Sequence, residues 1–155
     1  DGEIDLVGSR ISDAVEVSLP VLDDLNTHLA KEFHEIENYN LAHSGREFYG
    51  EHFTNLGSQV YGLGFNIPNL VGDSGWVDAR IAGRTLGTTS GYKLVCNGEE
   101  ASTTDISLCP NSLLIAQKRN LSIEVPMTGD GVNVELYFEP GNSEAEGWID
   151  YVRVQ

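Results

Sequence analysis

Hydrophobic and polar residues alternate in short stretches along most of the chain. A period of two places apolar side chains on one face of an extended segment and polar side chains on the other. This pattern predicts half-buried β-strands. Seven segments show it: residues 14–19, 60–67, 76–81, 92–96, 121–125, 132–138 and 148–154.

Turn-forming residues separate these segments. Glycine, proline, asparagine and aspartate cluster at residues 72–75, 97–98, 128–131 and 140–143. These residue types supply the positive φ angles or side-chain hydrogen bonds that tight turns need. Because short strands joined by tight turns are typical of sandwiches, the sequence predicts an all-β fold: an antiparallel β-sandwich, jelly-roll-like and galactose-binding-like.

The length is that of one domain. A chain of 155 residues can bury about two-thirds of its unfolded surface around a single core. We predict one domain over residues 1–155, in which residues 1–13 form a linker or the first edge strand. Residues 22–40 carry many helix formers, but residues 27–34 also alternate. We predict an edge strand there followed by a short helical turn, with residues 22–53 packed along one side of the sandwich.

The charge of the chain narrows the classes of partner. The formal net charge is −15, with 9 Lys and Arg against 24 Asp and Glu. No cluster of basic residues offsets it, so binding to nucleic acid or to anionic lipid is excluded. The acidic surface either keeps the protein in solution or binds a cation or a basic partner. No run of ~18 apolar residues is present, so the sequence predicts no membrane-spanning segment.

Two cysteines and the start of the chain bear on its compartment. The chain begins at Asp1 without an initiator methionine or an apolar leader, as expected of a mature or excised protein. Cys96 and Cys109 lie thirteen residues apart. A disulfide between them would suit an exported protein, whereas free structural thiols are the alternative.

One candidate site would use Cys96 as a nucleophile, with His43 beside it. His43 lies about fifty residues before Cys96, a separation found in one class of cysteine peptidases. That class needs the cysteine at the end of a strand in a parallel α/β sheet. Residues 43–96 show glycine-rich alternation instead, so we expect no nucleophile here.

The histidines and acidic residues suggest two metal sites. The four histidines fall within 25 residues, but their spacing matches no zinc motif, so we predict edge-strand or surface side chains, with zinc as the alternative. They are His28, His34, His43 and His52. Glu3 and Asp5 near the start and Asp150 near the end are candidate calcium ligands, because a jelly roll can bring its first and last strands together. We favour the alternative, in which Asp150 faces solvent on a strand, opposite Ile149 and Tyr151.

Four aromatic residues could form a flat platform for a sugar ring. They are Tyr61, Trp76, Tyr92 and Trp148. Aromatic residues make up only 8% of the chain, so we expect the core to take most of them.

One dense segment combines glycines, charges and aromatics. Its residues are Ser44, Gly45, Arg46, Glu47, Phe48, Tyr49, Gly50 and Glu51. We predict a turn permitted by Gly45, then a strand that begins with the two aromatics and ends at Gly50. Arg46 is expected to pair with a nearby acid, at small net gain if exposed.

The same segment carries a resemblance to a known family. Residues 34–51 resemble a signature of the gingipain-like cysteine peptidases, and more closely of the sortase-type member of the type IX secretion system. Residues 65–68, 82–84 and 147–154 fit the same resemblance, which covers about residues 12–84 and 132–155. It implies an exported, cell-envelope β-sandwich domain that precedes a caspase-like catalytic domain.

The departures from the family pattern define the expected function. Glu37 stands where the family tends to have Asp, Phe48 stands where it tends to have Trp, and no His-Gly dyad with a later cysteine nucleophile follows. We therefore expect a non-catalytic accessory domain in the periplasm or on the outer surface of a Gram-negative bacterium. Its partner would be an adjacent catalytic domain or another envelope protein, and no cofactor is expected. The alternative is a carbohydrate-binding jelly-roll module with a structural calcium.

Overall fold

The chain folds as two antiparallel sheets packed face to face. The structure is a computed structural model that describes residues 29–43, 45–56, 59–109, 115–127 and 129–155. Its described strands are β1 (Glu32–Glu35), β2 (His52–Thr54), β3 (Val60–Asn66), β4 (Ser74–Arg84), β5 (Ser90–Cys96), β6 (Glu99–Ile106), β7 (Gln117–Pro126), β8 (Gly131–Glu139) and β9 (Glu146–Val154). The predicted all-β antiparallel sandwich is confirmed, and no helix that could cross a membrane occurs in the described residues.

Each sheet has its own strand order. The five-stranded sheet runs β1-β9-β4-β7, and β2 also pairs with β9. Since β4 occupies one edge of β9 along its length, β1 and β2 share the other edge, at residues 151–154 and 146–148 respectively. The four-stranded sheet runs β3-β8-β5-β6. All pairings are antiparallel, and among the described strands only β5 and β6 are neighbours both in the chain and in a sheet.

The core lies between the two sheets and follows the period-two pattern. Along β4, the side chains of Val77, Ala79 and Ile81 point into the core, whereas their neighbours point to the outer face. Burying each large aliphatic side chain stabilises the fold by about 1.5–3 kcal/mol. The largest side chains that are fully buried include Phe53, Ile81, Tyr92, Leu94, Ile106, Leu136, Phe138 and Ile149.

Tyr92 ties the two sheets together by a polar contact within the core. Its hydroxyl donates to the carbonyl oxygen of Ala82 at 2.8 Å and lies 3.4 Å from that of Trp148. The ring belongs to β5 and the acceptors to β4 and β9, so the hydrogen bond crosses the sandwich. Burial raises the pKa of Tyr92 well above its usual value, against a smaller opposite effect of the Trp148 carbonyl. Gly147 leaves the room for this hydroxyl.

Most strand predictions are confirmed. The six predicted strands from residue 60 onward correspond to β3, β4, β5, β7, β8 and β9, and the predicted edge strand corresponds to β1. Residues 1–13 and the predicted strand at 14–19 lie outside the described residues. The described residues from 29 onward follow one side of the sandwich along β9, as predicted.

Three local predictions are wrong. The described residues after β1 form no helical turn, because the N–H groups of Asn38 and Tyr39 both bond to the carbonyl of Tyr49, each at 2.8 Å. The strand expected before Gly50 begins after it, at His52. Strand β6 was not predicted, because it buries only one large apolar residue, Ile106.

Candidate functional site

The segment that includes Gly45 and Gly50 lies across the outer face of the five-stranded sheet. Tyr49 N donates to Tyr39 O at 2.9 Å, and Gly50 N donates to Ile149 O on β9 at 2.7 Å. Tyr49 is 3% exposed and packs with Ala82 and Trp148 in a small apolar cluster apart from the main core. The segment therefore covers part of a sheet face that would otherwise meet solvent.

Four charged side chains gather beside Tyr49, and we call them the charged cluster: Glu47, Arg80, Lys118 and Asp150. Glu47 pairs with Lys118 and lies 3.8 Å from Arg80. Arg80 Nε lies 3.2 Å from Asp150 Oδ2. Two acids and two bases are thus linked in one chain of ion pairs. The sequence predicted neither basic partner of Glu47, because both come from distant strands.

A β-bulge brings Asp150 to this cluster. Arg80 pairs with Tyr151 and Ile81 with Ile149, so Asp150 is the extra residue on β9. A bulge of this kind redirects a side chain, and Asp150 is left largely buried, at 14% side-chain exposure. Burial raises the pKa of Asp150; Arg80 opposes the shift and Glu47 adds to it.

The pKa values of Glu47 and of the neighbouring Tyr49 shift in opposite directions. The hydrogen bond from Lys118 lowers the pKa of Glu47, with Arg80 adding to the effect. Burial, helped by Glu47 and Asp150, raises the pKa of Tyr49 to about 12. At neutral pH the cluster therefore holds two paired carboxylates, and the Tyr49 phenol beside it is neutral. This arrangement fixes a loop to a sheet, and it leaves no base free to activate a nucleophile.

Of the three predicted calcium ligands, the structure describes Asp150 alone. Glu3 and Asp5 lie outside the described residues. Asp150 is held by the Arg80 guanidinium, with which a bound cation would compete. In the part of the chain that the structure describes, no three His, Cys, Asp or Glu side chains are grouped to hold a metal ion.

The described histidines lie at separate places near the β9 edge. His34 on β1 lies 2.5 Å from Glu51 Oε1, and His52 on β2 lies 3.2 Å from Glu146 Oε1. His52 also stacks on Trp148, with ring centroids 5.0 Å apart. His43 is exposed in a turn, and His28 lies outside the described residues. The prediction of edge-strand and surface histidines fits these three positions.

The disulfide considered between Cys96 and Cys109 is not formed. Cys96 ends β5 beside the hairpin turn at residues 97–98, whereas Cys109 follows the far end of β6 and its N–H bonds to Thr85 O at 3.0 Å. The length of β6 separates them by roughly 20 Å at ~3.3 Å per residue, whereas a disulfide needs Cα atoms within about 7 Å. Both are buried free thiols.

Burial also makes Cys96 a poor nucleophile. It raises the pKa of the Cys96 thiol to about 11, so the thiolate is scarce at neutral pH. The thiol belongs to the four-stranded sheet, whereas His43 lies in the loop that crosses the outer face of the other sheet. The structure does not bring the two residues together.

The four candidate aromatics occupy different environments. Tyr92 is in the core, and Tyr61 packs against it at a ring-centroid distance of 5.1 Å from Phe53. Trp148 is buried on the outer face, beneath the segment described above. Trp76 is 45% exposed. The expectation that the core takes most of them holds for two of the four.

An exposed apolar strip was missed by the sequence interpretation. It runs along β1 and the residues after it, and we call it the aromatic strip: Phe33, Ile36, Tyr39 and Tyr151. Phe33 stacks on Tyr151 with centroids 5.4 Å apart, and Tyr39 packs on His52 at 5.2 Å. Phe33 is 54% exposed and Tyr39 40%. The alternation of residues 27–34 was a usable signal, since it puts Phe33 on the face opposite His34.

We expect Gly45→Val to destabilise the protein by about 1–2 kcal/mol, because Gly45 has φ +66° and a β-branched residue is strained there. No atom lies within 4 Å of the position of its Cβ, so backbone strain is the cause. Arg46 is exposed, and Arg46→Ala should change stability by less than about 0.5 kcal/mol. Urea denaturation measures both. Gly45→Asn is the matched control, since Asn tolerates this φ; an unchanged midpoint in Gly45→Val would contradict the prediction.

Comparison with known proteins supports the resemblance. No protein-family model matches the chain, and no curated protein sequence does. Among solved structures, the chain is similar to dimeric latent PorU from Porphyromonas gingivalis, with 25% identity and a TM-score of 0.64 over 80% of this chain. The match spans 12% of the PorU chain. PorU is the sortase-type member that residues 34–51 resemble, so the predicted resemblance is confirmed.

Two carbohydrate-binding modules are also similar in structure. One is the module CBM36 in complex with calcium and xylotriose, at 10% identity and a TM-score of 0.46 over 80% of this chain and 88% of that one. The other is the CBM36-1 domain of a multidomain xylanase from the hindgut metagenome of Trinervitermes trinervoides, at 13% identity and 0.48 over 81% and 97%.

Proposed function

We propose that this chain is a non-catalytic accessory domain of a secretion-associated gingipain-like peptidase, or a stand-alone relative of such a domain. The observation that carries the proposal is the similarity to PorU over 80% of the chain. The partner is the adjacent catalytic domain or another envelope protein. An exported location, in the periplasm or on the outer surface of a Gram-negative bacterium, belongs to the same proposal.

The chemistry of the described side chains supports a role without catalysis. The Cys96 thiol is buried with a raised pKa, and the acids of the charged cluster are paired with Arg80 and Lys118. Catalysis by a cysteine would need an accessible thiolate beside a base. Glu47, through its ion pairs with Arg80 and Lys118, instead holds the loop around Tyr49 against the sheet.

The aromatic strip supports a protein partner. Phe33 is held by stacking on Tyr151 and Tyr39 by a tilted ring contact with His52, and each leaves about half of its surface exposed. Rigid, exposed aromatics are the side chains that most often carry binding energy at protein interfaces. The charged cluster lies on the same sheet face and supplies polar groups at the rim.

The test is binding to a PorU-type peptidase from which the equivalent segment has been removed. The chain should bind this peptidase but not the same peptidase with its segment in place, because the segment would occupy the docking surface. Phe33→Ser should weaken binding at least tenfold. Leu108→Ser is the matched control, since Leu108 is 43% exposed and its carbonyl accepts from the Gln117 side chain of β7, at the edge of the five-stranded sheet opposite β1. Binding to neither peptidase would refute the proposal.

One observation favours a second function, carbohydrate binding. Trp76 is exposed on the outer face directly across from Glu124 on β7. An exposed aromatic ring beside a carboxylate is an arrangement that can bind a sugar. A calcium-dependent rise in melting temperature that a chelator reverses, with oligosaccharide quenching of Trp76 fluorescence, would establish this function. We expect neither effect, because Glu124 is engaged by the Ser74 hydroxyl at 2.7 Å.

A further inference from the structure

Among the described residues, strand β3 is an edge of the four-stranded sheet that pairs with β8 on one side and with no strand on the other. Natural proteins block exposed strand edges with charges, bulges, proline or short length, because an open edge pairs with other strands. The other described edges carry such devices: β1 and β2 have four and three residues, β6 has three acids, and β7 has charges and ends at Pro126. Strand β3 has seven residues without charge or proline, and its pairing with β8 has no bulge.

The backbone groups at this edge are identified by the ladder to β8. Gln59 O accepts from Phe138 N at 2.8 Å, and Ile67 N donates to Asp130 O at 2.6 Å. Because facing alternates along an antiparallel strand, the odd-numbered residues bond to β8. The N–H and C=O groups that face away from β8 belong to Val60, Gly62, Gly64 and Asn66. Two of these four residues are glycines, so no side chain stands over the backbone at these two positions.

Open space flanks the edge on both faces. On the outer face, a trough of about 610 Å³ is lined by Gly62, Gly64, Asn133 and Glu135, among others. Between the sheets, a groove of about 430 Å³ separates residues 63–66 of β3 from residues 32–34 of β1. An added strand would place alternate side chains in the trough and in the groove.

The charges around the β3 edge indicate what kind of peptide could bind there. Strands β1, β2, β3 and β8 contain four glutamates and neither lysine nor arginine. Glu135 lies directly across from Gly62, and a lysine or arginine on an added strand could reach it over the glycine. On the groove side, Glu32 and His34 line the groove, and His34 contacts Glu51, whose buried Oε2 receives no hydrogen bond from the described residues. Acidic groups therefore border the edge on both faces.

We propose that β3 binds an extended peptide segment that carries lysine or arginine at alternate positions and pairs with the edge as an added strand. Main-chain hydrogen bonds to residues 60–66 supply the affinity, as in other strand-addition complexes. Because alternation places all the basic side chains on one face, they lie in the outer trough, where they pair with Glu135 and supply the specificity, while the side chains between them enter the groove. Phe33 of the aromatic strip also borders the groove. The main-chain pairing is to β3 in the other sheet, so the inference does not depend on the accessory-domain proposal.

The probe is a seven-residue peptide of alternating lysine and valine, tested with the full chain by calorimetry. It should bind at least tenfold more tightly than the matched glutamate–valine peptide, and its affinity should fall with added salt. Gly62→Lys should weaken binding at least tenfold, because its own ammonium reaches Glu135; the Cβ at this position meets Glu135 Cγ at an ordinary 3.9 Å. Thr103→Lys on edge strand β6 adds the same charge and should bind as wild type.

Amide hydrogen exchange shows where the peptide binds. The amides of Gly62, Gly64 and Asn66 should exchange fast in the free chain and slowly with peptide, whereas Leu63 and Phe65 should be slow in both. Slow exchange of the first three in the free monomer means that the chain already covers its own edge and overturns the proposal. Protection accompanied by a dimer mass in light scattering means that a second copy takes the edge, and it overturns the proposal as well.

Discussion

Gly147→Ala should destabilise the protein by about 3 kcal/mol or more. A Cβ at this position would overlap the Tyr92 hydroxyl and lie 3.0 Å from Phe138 Cδ2. Neither ring can move away, because both are about 1% exposed and packed between the sheets. The hydroxyl would also lose its position against Ala82 O. The free energy of unfolding in urea measures the effect.

Two further variants distinguish steric overlap with the Tyr92 hydroxyl from a general effect of replacing a glycine. Gly62→Ala should be mild, since its Cβ has an ordinary contact at 3.9 Å with Glu135. Tyr92→Phe alone should cost about 1 kcal/mol for the lost hydrogen bond. Combined with Gly147→Ala, it should recover part of the loss, because the overlapping oxygen is gone. A Gly147→Ala variant within 1 kcal/mol of wild type would refute the proposed packing.

Phe53→Ala should cost about 3–5 kcal/mol, the usual range for removing a buried aromatic ring. Phe53 is fully buried, with ring centroids 5.1 Å from Tyr61, 5.5 Å from Tyr92 and 5.9 Å from Phe138. It lies on the three-residue strand β2, so the result tests whether this short strand is part of the core. Thermal and urea unfolding both measure the change.

Phe33→Ala is the matched control for Phe53→Ala. Phe33 is the same residue type on the neighbouring edge strand, but it is 54% exposed and faces outward. We expect a loss below about 1 kcal/mol, mostly from its stacking on Tyr151. Equal losses in the two variants would mean that β2 is not packed as described.

The sequence predicted the strands that bury one face. Their alternation reflects direct contact with the core, as in β4, where Val77 and Ile81 are fully buried. Strand β6 was missed because an edge strand of Ser, Thr and acids contributes little beyond Ile106 to the core. The position of β2 was missed because Tyr49, although apolar, packs on the outer face with Trp148. Local periodicity does not report which sheet face a loop will cover.

The candidate site was less predictable for the same reason. Glu47 was recognised within its segment, but its partners Arg80 and Lys118 lie 33 and 71 residues away on β4 and β7. Asp150 joins them through a bulge, which no spacing rule foresees. The family resemblance of residues 34–51 pointed to this part of the chain. The ion pairs of the charged cluster depend instead on how strands distant in sequence pair with one another.

The pairing of β9 has a consequence for the order of folding. Both edges of β9 are occupied, by β4 on one side and by β1 and β2 on the other, yet it is the last of the described strands to leave the ribosome. Contacts between such distant segments form slowly. Until residue 146 and its successors emerge, β1 and β2 have no partner, so the segment that includes Tyr49 would remain open during synthesis. The sandwich of the described strands therefore closes only after residue 154 has been added to the chain.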